Sequence, residues 1–343
     1  MDKNKRGLSR RSMLAGTAAG VIAPVVVSAS AGSSPAAAAG MTRNITLYAD
    51  YVPGSTRVGY GLEPGKPMIP GPLLECYEGD TLVIELVNNT DKRLSIHPHG
   101  VNYDTKSDGS PFNDSFNKPY ETKTYTWKTR TAYQAANGFW MPGSAGYWHY
   151  HDHAFDGDHG TIGLLKGLYG GLIVRKRGDL LPSKQFTVVF TEMWINHQVA
   201  PNTPIFEANL GERVEFICIG HGNLMHTFHL HAHRWADTRT GMLTSATDNA
   251  QILDNKTLDP GNSFGFQVIA GDGVGPGAWM YHCHVQQHSD DGMSGVFLVR
   301  NADGGMPAGA QEAIDRFKGH QHGTTSSTPN ATGASGSTAH THH

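Results

Sequence analysis

Two stretches of this 343-residue chain lie over one another without a gap. Residues 75–100, "ECYEGDTLVIELVNNTDKRLSIHPHG", match residues 207–232, "EANLGERVEFICIGHGNLMHTFHLHA", at an offset of 132. Glu75 falls on Glu207, Gly79 on Gly211, His97 on His229 and His99 on His231. A second block follows at an offset of 131, "GYWHYHDH" (146–153) over "GAWMYHCH" (277–284). Similar apolar runs close both blocks, "GGLIVRK" and "GVFLVRN". Two copies of one domain are the simplest account. The boundary falls in "KRGDLLPSK" (176–184), which is polar and carries a proline.

The repeated unit reads as β. Residues 81–88, 122–129, 170–176, 185–194, 213–220, 263–270 and 295–301 alternate or are β-branched, and Gly, Pro, Asn and Asp separate them. Long helical periodicity is missing between Asn44 and Asn301. The expectation is an all-β protein of sandwich or barrel type, with domains over 44–178 and 185–303. The length allows each domain its own core. Residues 304–343 read as a flexible, histidine-containing tail, with one short helix over 308–319.

Residues 1–39 read as a twin-arginine signal peptide. Arg10 and Arg11 precede a mildly apolar run of residues 13–27, too short for a membrane span, and small residues follow. The expectation is export in the folded state to the extracellular side, with no membrane attachment after cleavage. A formal net charge of −3 gives no basic footprint for nucleic acid. Three cysteines cannot make a disulfide framework.

Histidine carries the chemistry. Of 20 histidines, eight form four His-x-His pairs at matched repeat positions: His97/His99, His151/His153, His229/His231 and His282/His284. Residues i and i+2 of a strand share a face, so each pair offers two imidazoles side by side. Core packing does not explain four ordered pairs. Eight imidazoles suit three metal ions holding three, three and two, but imidazole alone does not name the metal.

Cys283 names it. His288 follows at +5 and Met293 at +10, and His226 in "MHTFHLH" supplies a second imidazole. A thiolate, two imidazoles and a weak axial thioether make a blue-copper electron-transfer site. The first domain has Asp152 opposite Cys283 and Leu94 opposite His226. It keeps its paired histidines and lacks the blue site. His149, His159, His197, His221 and His233 show no ligand spacing and read as surface or supporting residues.

With "HPHG", "HDH", "HTFHLH" and "HCHVQQHSDDGM" in place, the chain resembles the multicopper oxidases, most closely the bacterial two-domain small laccases. The resemblance implies tandem cupredoxin domains and four copper ions per chain. Type 1 copper would sit on His226, Cys283, His288 and Met293. Type 2 copper would use His97 and His229. The type 3 pair would use His99, His151 and His284 on one ion, and His153, His231 and His282 on the other. The resemblance also implies a homotrimer with the cluster between neighbouring chains. By the same resemblance Asp108 relays protons and Tyr103 acts in redox near the cluster, with Asp254 a further proton-relay candidate. The expected activity is a laccase, oxidising phenols and aromatic amines with O2. The alternatives are a metal-ion oxidase (cuprous or ferrous) and a copper nitrite reductase.

Overall fold

The structure is a computed structural model describing residues 40–320. The expected signal peptide, 1–39, and the tail from 321 lie outside the described residues.

The first domain is a sandwich of two four-stranded sheets. One runs Val58–Gly61, Thr42–Tyr51, Thr81–Asn88, Thr122–Lys128; the other runs Gly71–Tyr77, Tyr169–Arg175, Gly146–His151, His97–Pro98. The second domain repeats this plan. Its sheets run Trp194–Ile195, Lys184–Thr191, Arg213–His221, Ser263–Ile269, and Ile205–Asn209, Ser294–Arg300, Gly277–Cys283, His226–Leu230, Asn255–Leu258. Corresponding strands pair in the same sense. Thr42–Tyr51 lies parallel to Thr81–Asn88, as Lys184–Thr191 does to Arg213–His221. Gly71–Tyr77 lies parallel to Tyr169–Arg175, as Ile205–Asn209 does to Ser294–Arg300. This is the expected all-β, cupredoxin-like architecture, twice over.

Side-chain alternation explains each layer. In Thr81–Asn88, Leu82, Ile84 and Leu86 point into the domain core, while Glu85 faces out. The counterpart Arg213–His221 is buried on both faces, because the first domain covers its outer side. There Ile217 and Ile219, with Val189, pack on Leu73, Tyr147, Tyr169 and Ile173.

A charged knot sits in this apolar interface. The Arg175 guanidinium, 1 % exposed, binds Glu75 at 2.6 and 3.0 Å and Glu215 at 3.0 and 2.7 Å. Gln185 donates to both carboxylates, and Tyr147 and Gln267 donate to Glu215. Buried charge is tolerated because every charge is paired and hydrogen-bonded. Burial works against the Glu215 anion, but the Arg175, Tyr147 and Gln267 contacts outweigh it and hold its carboxyl below the ordinary value. The repeat keeps the first pair in Arg300–Glu207, 2.8 Å apart and part-exposed.

The short helix expected within the tail is present, and it is docked rather than flexible. Ala310–Gly319 is a helix, and Ala310, Ile314 and Phe317 dock on Ile205, Ala278, Val296 and Leu298 of the second domain. Small and apolar residues recur there at i, i+4 and i+7, one face of a helix, and that face is what docks.

Candidate metal centres

Cys283 ends the strand Gly277–Cys283, and His226 opens the neighbouring strand His226–Leu230. The short helix Gln286–Asp290 brings His288 back over the thiol. The Cys283 Sγ lies 3.7 Å from His226 Nδ1 and 3.6 Å from His288 Nδ1. Met293 is fully buried; its carbonyl accepts the Cys283 N–H and its N–H donates to the His288 carbonyl. His226 is buried, and its Nε2 has no hydrogen-bond partner among the described residues. His288 is only half-buried and forms the outer edge of the site. Burial holds the Cys283 thiol above its ordinary value, and burial together with His288 brings His226 down to about 4.

The paired histidines gather into two separate groups. In the first domain His97–Pro98 pairs with Gly146–His151, which sets His97 opposite His151. The His99 and His151 Nε2 atoms are 3.2 Å apart, and the His153 ring lies 5.3 Å from that of His97. In the second domain His229 sits opposite His282. The His231 and His282 Nε2 atoms are 3.1 Å apart, and the His284 ring lies 5.2 Å from that of His229. Among the described residues no ring of one group touches a ring of the other, and the converging donor sets stay within their own domains.

Backbone carbonyls fix which nitrogen faces inward. The Nδ1 atoms of His97, His151, His153, His229 and His282 bond the carbonyls of Asp108, Asp152, Asp158, Asp254 and Cys283. Each Nε2 is thereby left as the free ligand atom. Burial, then neighbouring imidazoles, holds His99 down at about 4 and pushes His151 well below its ordinary value. Neutral imidazole is the ligating form. These donors fit copper. Nitrogens 3.1–3.2 Å apart are spaced as two ligands on one ion with bonds of about 2 Å. The buried thiol with two Nδ1 atoms and a methionine is a blue-copper donor set.

Tyr103 stands beside His97, with ring centroids 5.7 Å apart, and is 38 % exposed. The Asp108 carboxylate lies 3.6 Å from His97 Nδ1 and accepts from Ser110 and Asn113. Burial opposes its charge, but Ser110, Asn113, His97 and His153 outweigh that and hold it below the ordinary value. Asp254 reaches His229 through its main-chain oxygen at 2.8 Å. In the place of Cys283, Asp152 is fully buried, and burial pushes its carboxyl up to about 7 against three peptide N–H donors.

Two residues without ligand spacing prove to be close supports. His149 is buried and stacks on His99 at 3.9 Å, and His221 of the second domain meets His149 edge-on at 4.7 Å. His197 and His233 are also buried, so the surface reading holds for none of these four. His159 is exposed.

Sequence profiles of two multicopper oxidase domains match residues 66–179 and 179–303. The chain belongs to the multicopper oxidase family. Among its relatives, a "probable nitrite reductase-hydroxylamine oxidoreductase fusion protein" of Kuenenia stuttgartiensis is 31 % identical over 70 % of this chain and 28 % of its own length. Human ceruloplasmin is 26 % identical over 67 % of this chain and 23 % of its own length. The chain thus spans about a quarter of the curated relatives it matches. Two Nitrosomonas europaea structures share the fold. A blue copper oxidase aligns with TM-score 0.55 and 21 % identity over 76 % of this chain and 86 % of that one. A copper nitrite reductase aligns with TM-score 0.57 and 21 % identity over 76 % and 94 %.

Proposed function

We propose that this chain is a laccase-type oxidase that takes single electrons from phenols and aromatic amines and passes them to O2. The observation that carries this reading is the Cys283 strand. One face puts a thiol against His226 and His288; the other puts His282 against His231. When bound, four coppers would supply one-electron redox at the thiolate and four-electron reduction of O2 at a three-ion cluster. The chain's residues do the rest. His288 offers the part-exposed edge where a reductant can approach. The Cys283 backbone links that edge covalently to His282 and His284. Asp108 and Tyr103 stand beside His97, where protons must be delivered.

A homotrimer with the cluster between chains has structural support. Each domain brings four of the eight paired histidines, and His97, His99, His229 and His231 are only part-buried, with His284 exposed. The outer face of Thr81–Asn88 is also part-exposed, whereas its counterpart Arg213–His221 is covered within the chain. The Arg10–Arg11 pair supports export in the folded state. A metal-ion substrate is the second reading, favoured by relatives named as ferroxidases.

Oxygen uptake by the copper-loaded protein with 2,6-dimethoxyphenol tests the reading. Uptake with ferrous or cuprous ions alone would establish the second reading. Nitrite reduction without oxygen uptake would overturn both. Copper content, EPR and molar mass in solution check the four ions and the trimer.

A further inference from the structure

The repeat leaves a place in the first domain that corresponds to the thiolate site and is filled differently. Asp152 stands for Cys283 and Leu94 for His226. Backbone bonding extends the match. The Asp152 N–H donates to Leu168 O at 2.9 Å, as the Cys283 N–H donates to Met293 O at 3.0 Å. The His153 N–H donates to Ser95 Oγ at 3.0 Å, as the His284 N–H donates to Thr227 Oγ1 at 2.9 Å.

In place of a metal ligand, Asp152 presents a fully buried carboxyl to three peptide N–H groups. Its Oδ1 accepts from Ser95 at 2.7 Å, and its Oδ2 from Ala154 at 3.1 Å and Phe155 at 2.7 Å. The helix Thr161–Lys166 closes over it at Gly163, where a methyl group would come within 2.2 Å of Oδ2.

We infer that Asp152 is a positioning residue for the first domain's copper ligands, tying together by hydrogen bonds the segments that the thiolate site ties together in the second. Ser95 lies two residues before His97, and Ala154 directly follows His153. Both His-x-His pairs therefore hang from one carboxyl group. The inference rests on reading those pairs as cluster ligands.

Asparagine separates this role from space filling, because it keeps the size and shape of aspartate. Its amide oxygen can serve one side, but its NH2 then faces N–H donors on the other. Copper-loaded full-length D152N is compared with wild type by copper per chain, blue absorbance, type 2 EPR signal and steady-state kinetics. The expected result is retained blue absorbance, an altered type 2 signal and cluster affinity lower by about 10–100-fold. With it, kcat falls while KM for 2,6-dimethoxyphenol stays. Full copper with a wild-type EPR signal in D152N overturns the inference.

If D152N does not fold, Gly163→Ala decides, because its methyl group presses on Oδ2. Ser95→Ala is the control: it removes the His153 N–H bond to the Ser95 hydroxyl and keeps every Asp152 bond. A loss of cluster copper in Gly163→Ala no greater than in Ser95→Ala overturns the inference, and a greater loss with blue absorbance kept supports it. A wild type that binds blue copper but no cluster copper overturns the cluster reading and the inference with it. A loaded wild type beside an unchanged D152N overturns the inference alone.

Discussion

Replacing Arg175 by methionine should loosen the two domains from each other, by an amount the structure sets. Arg175 is 1 % exposed and Glu215 fully buried, so solvent cannot screen the loss. Methionine fills much of the volume but leaves Glu75 and Glu215 facing each other without a cation. Removing one partner of a buried pair costs about 3–5 kcal/mol. At about 2–4 °C per kcal/mol for a large domain, the melting temperature should fall by roughly 6–20 °C.

The pH dependence carries the sharper test. In the wild type Glu215 is held below its ordinary value, so its contribution is present above the unfolded pKa and lost as pH falls through the folded one. In R175M the unpaired carboxylate is raised instead, so the variant loses stability as pH climbs above the unfolded value of about 4.3. The deficit should therefore be larger at about pH 7 than at about pH 5. Calorimetry of metal-loaded protein measures it. A deficit of under about 1 kcal/mol, or one independent of pH, would refute the reasoning.

Other expectations follow from the same geometry. Cys283→Ser should abolish blue absorbance and phenol oxidation while the cluster ions remain, read by copper count and EPR. Asp108→Ala should slow reoxidation by O2 and leave reduction of the blue site intact; slower substrate-to-copper transfer in stopped flow would contradict the proposed role. Copper uptake by metal-free protein must deprotonate a thiol that burial holds above its ordinary value. The blue colour should therefore develop faster as pH rises from about 6 to about 8, and a flat profile would count against it. Stripping copper with a chelator should lower the melting temperature, and re-addition should restore it.

Much of the site was readable because strands translate spacing into direction. His282, Cys283 and His284 must alternate faces, and the repeat supplied their counterparts. The blue-site residues Cys283, His288 and Met293 are also close along the chain, so a turn and a short helix suffice to gather them. His149 and His221 were not readable, since their stacking depends on how one domain packs on the other. Asp108 and Asp254 drew attention as carboxylates, yet it is their main-chain oxygens that hydrogen-bond His97 and His229. Any residue type can present a carbonyl, so composition held no signal for that role.

The contrast between "HCH" and "HDH" follows from the same alternation. A residue between two cluster histidines must point away from the cluster, into the core of its own domain. Both Cys283 and Asp152 are fully buried there. A polar atom in that position needs a partner, or its desolvation goes uncompensated. The second domain brings two imidazoles to the sulfur, the geometry of a metal site. The first domain brings three peptide N–H groups to the carboxyl and has leucines where the imidazole and the thioether would be. A plain leucine at 152 would satisfy burial but would release Ser95, Ala154 and Phe155 from one another. On the function proposed above, the side chain between the histidines has the same mechanical task in both domains, and only in the second would it also conduct electrons.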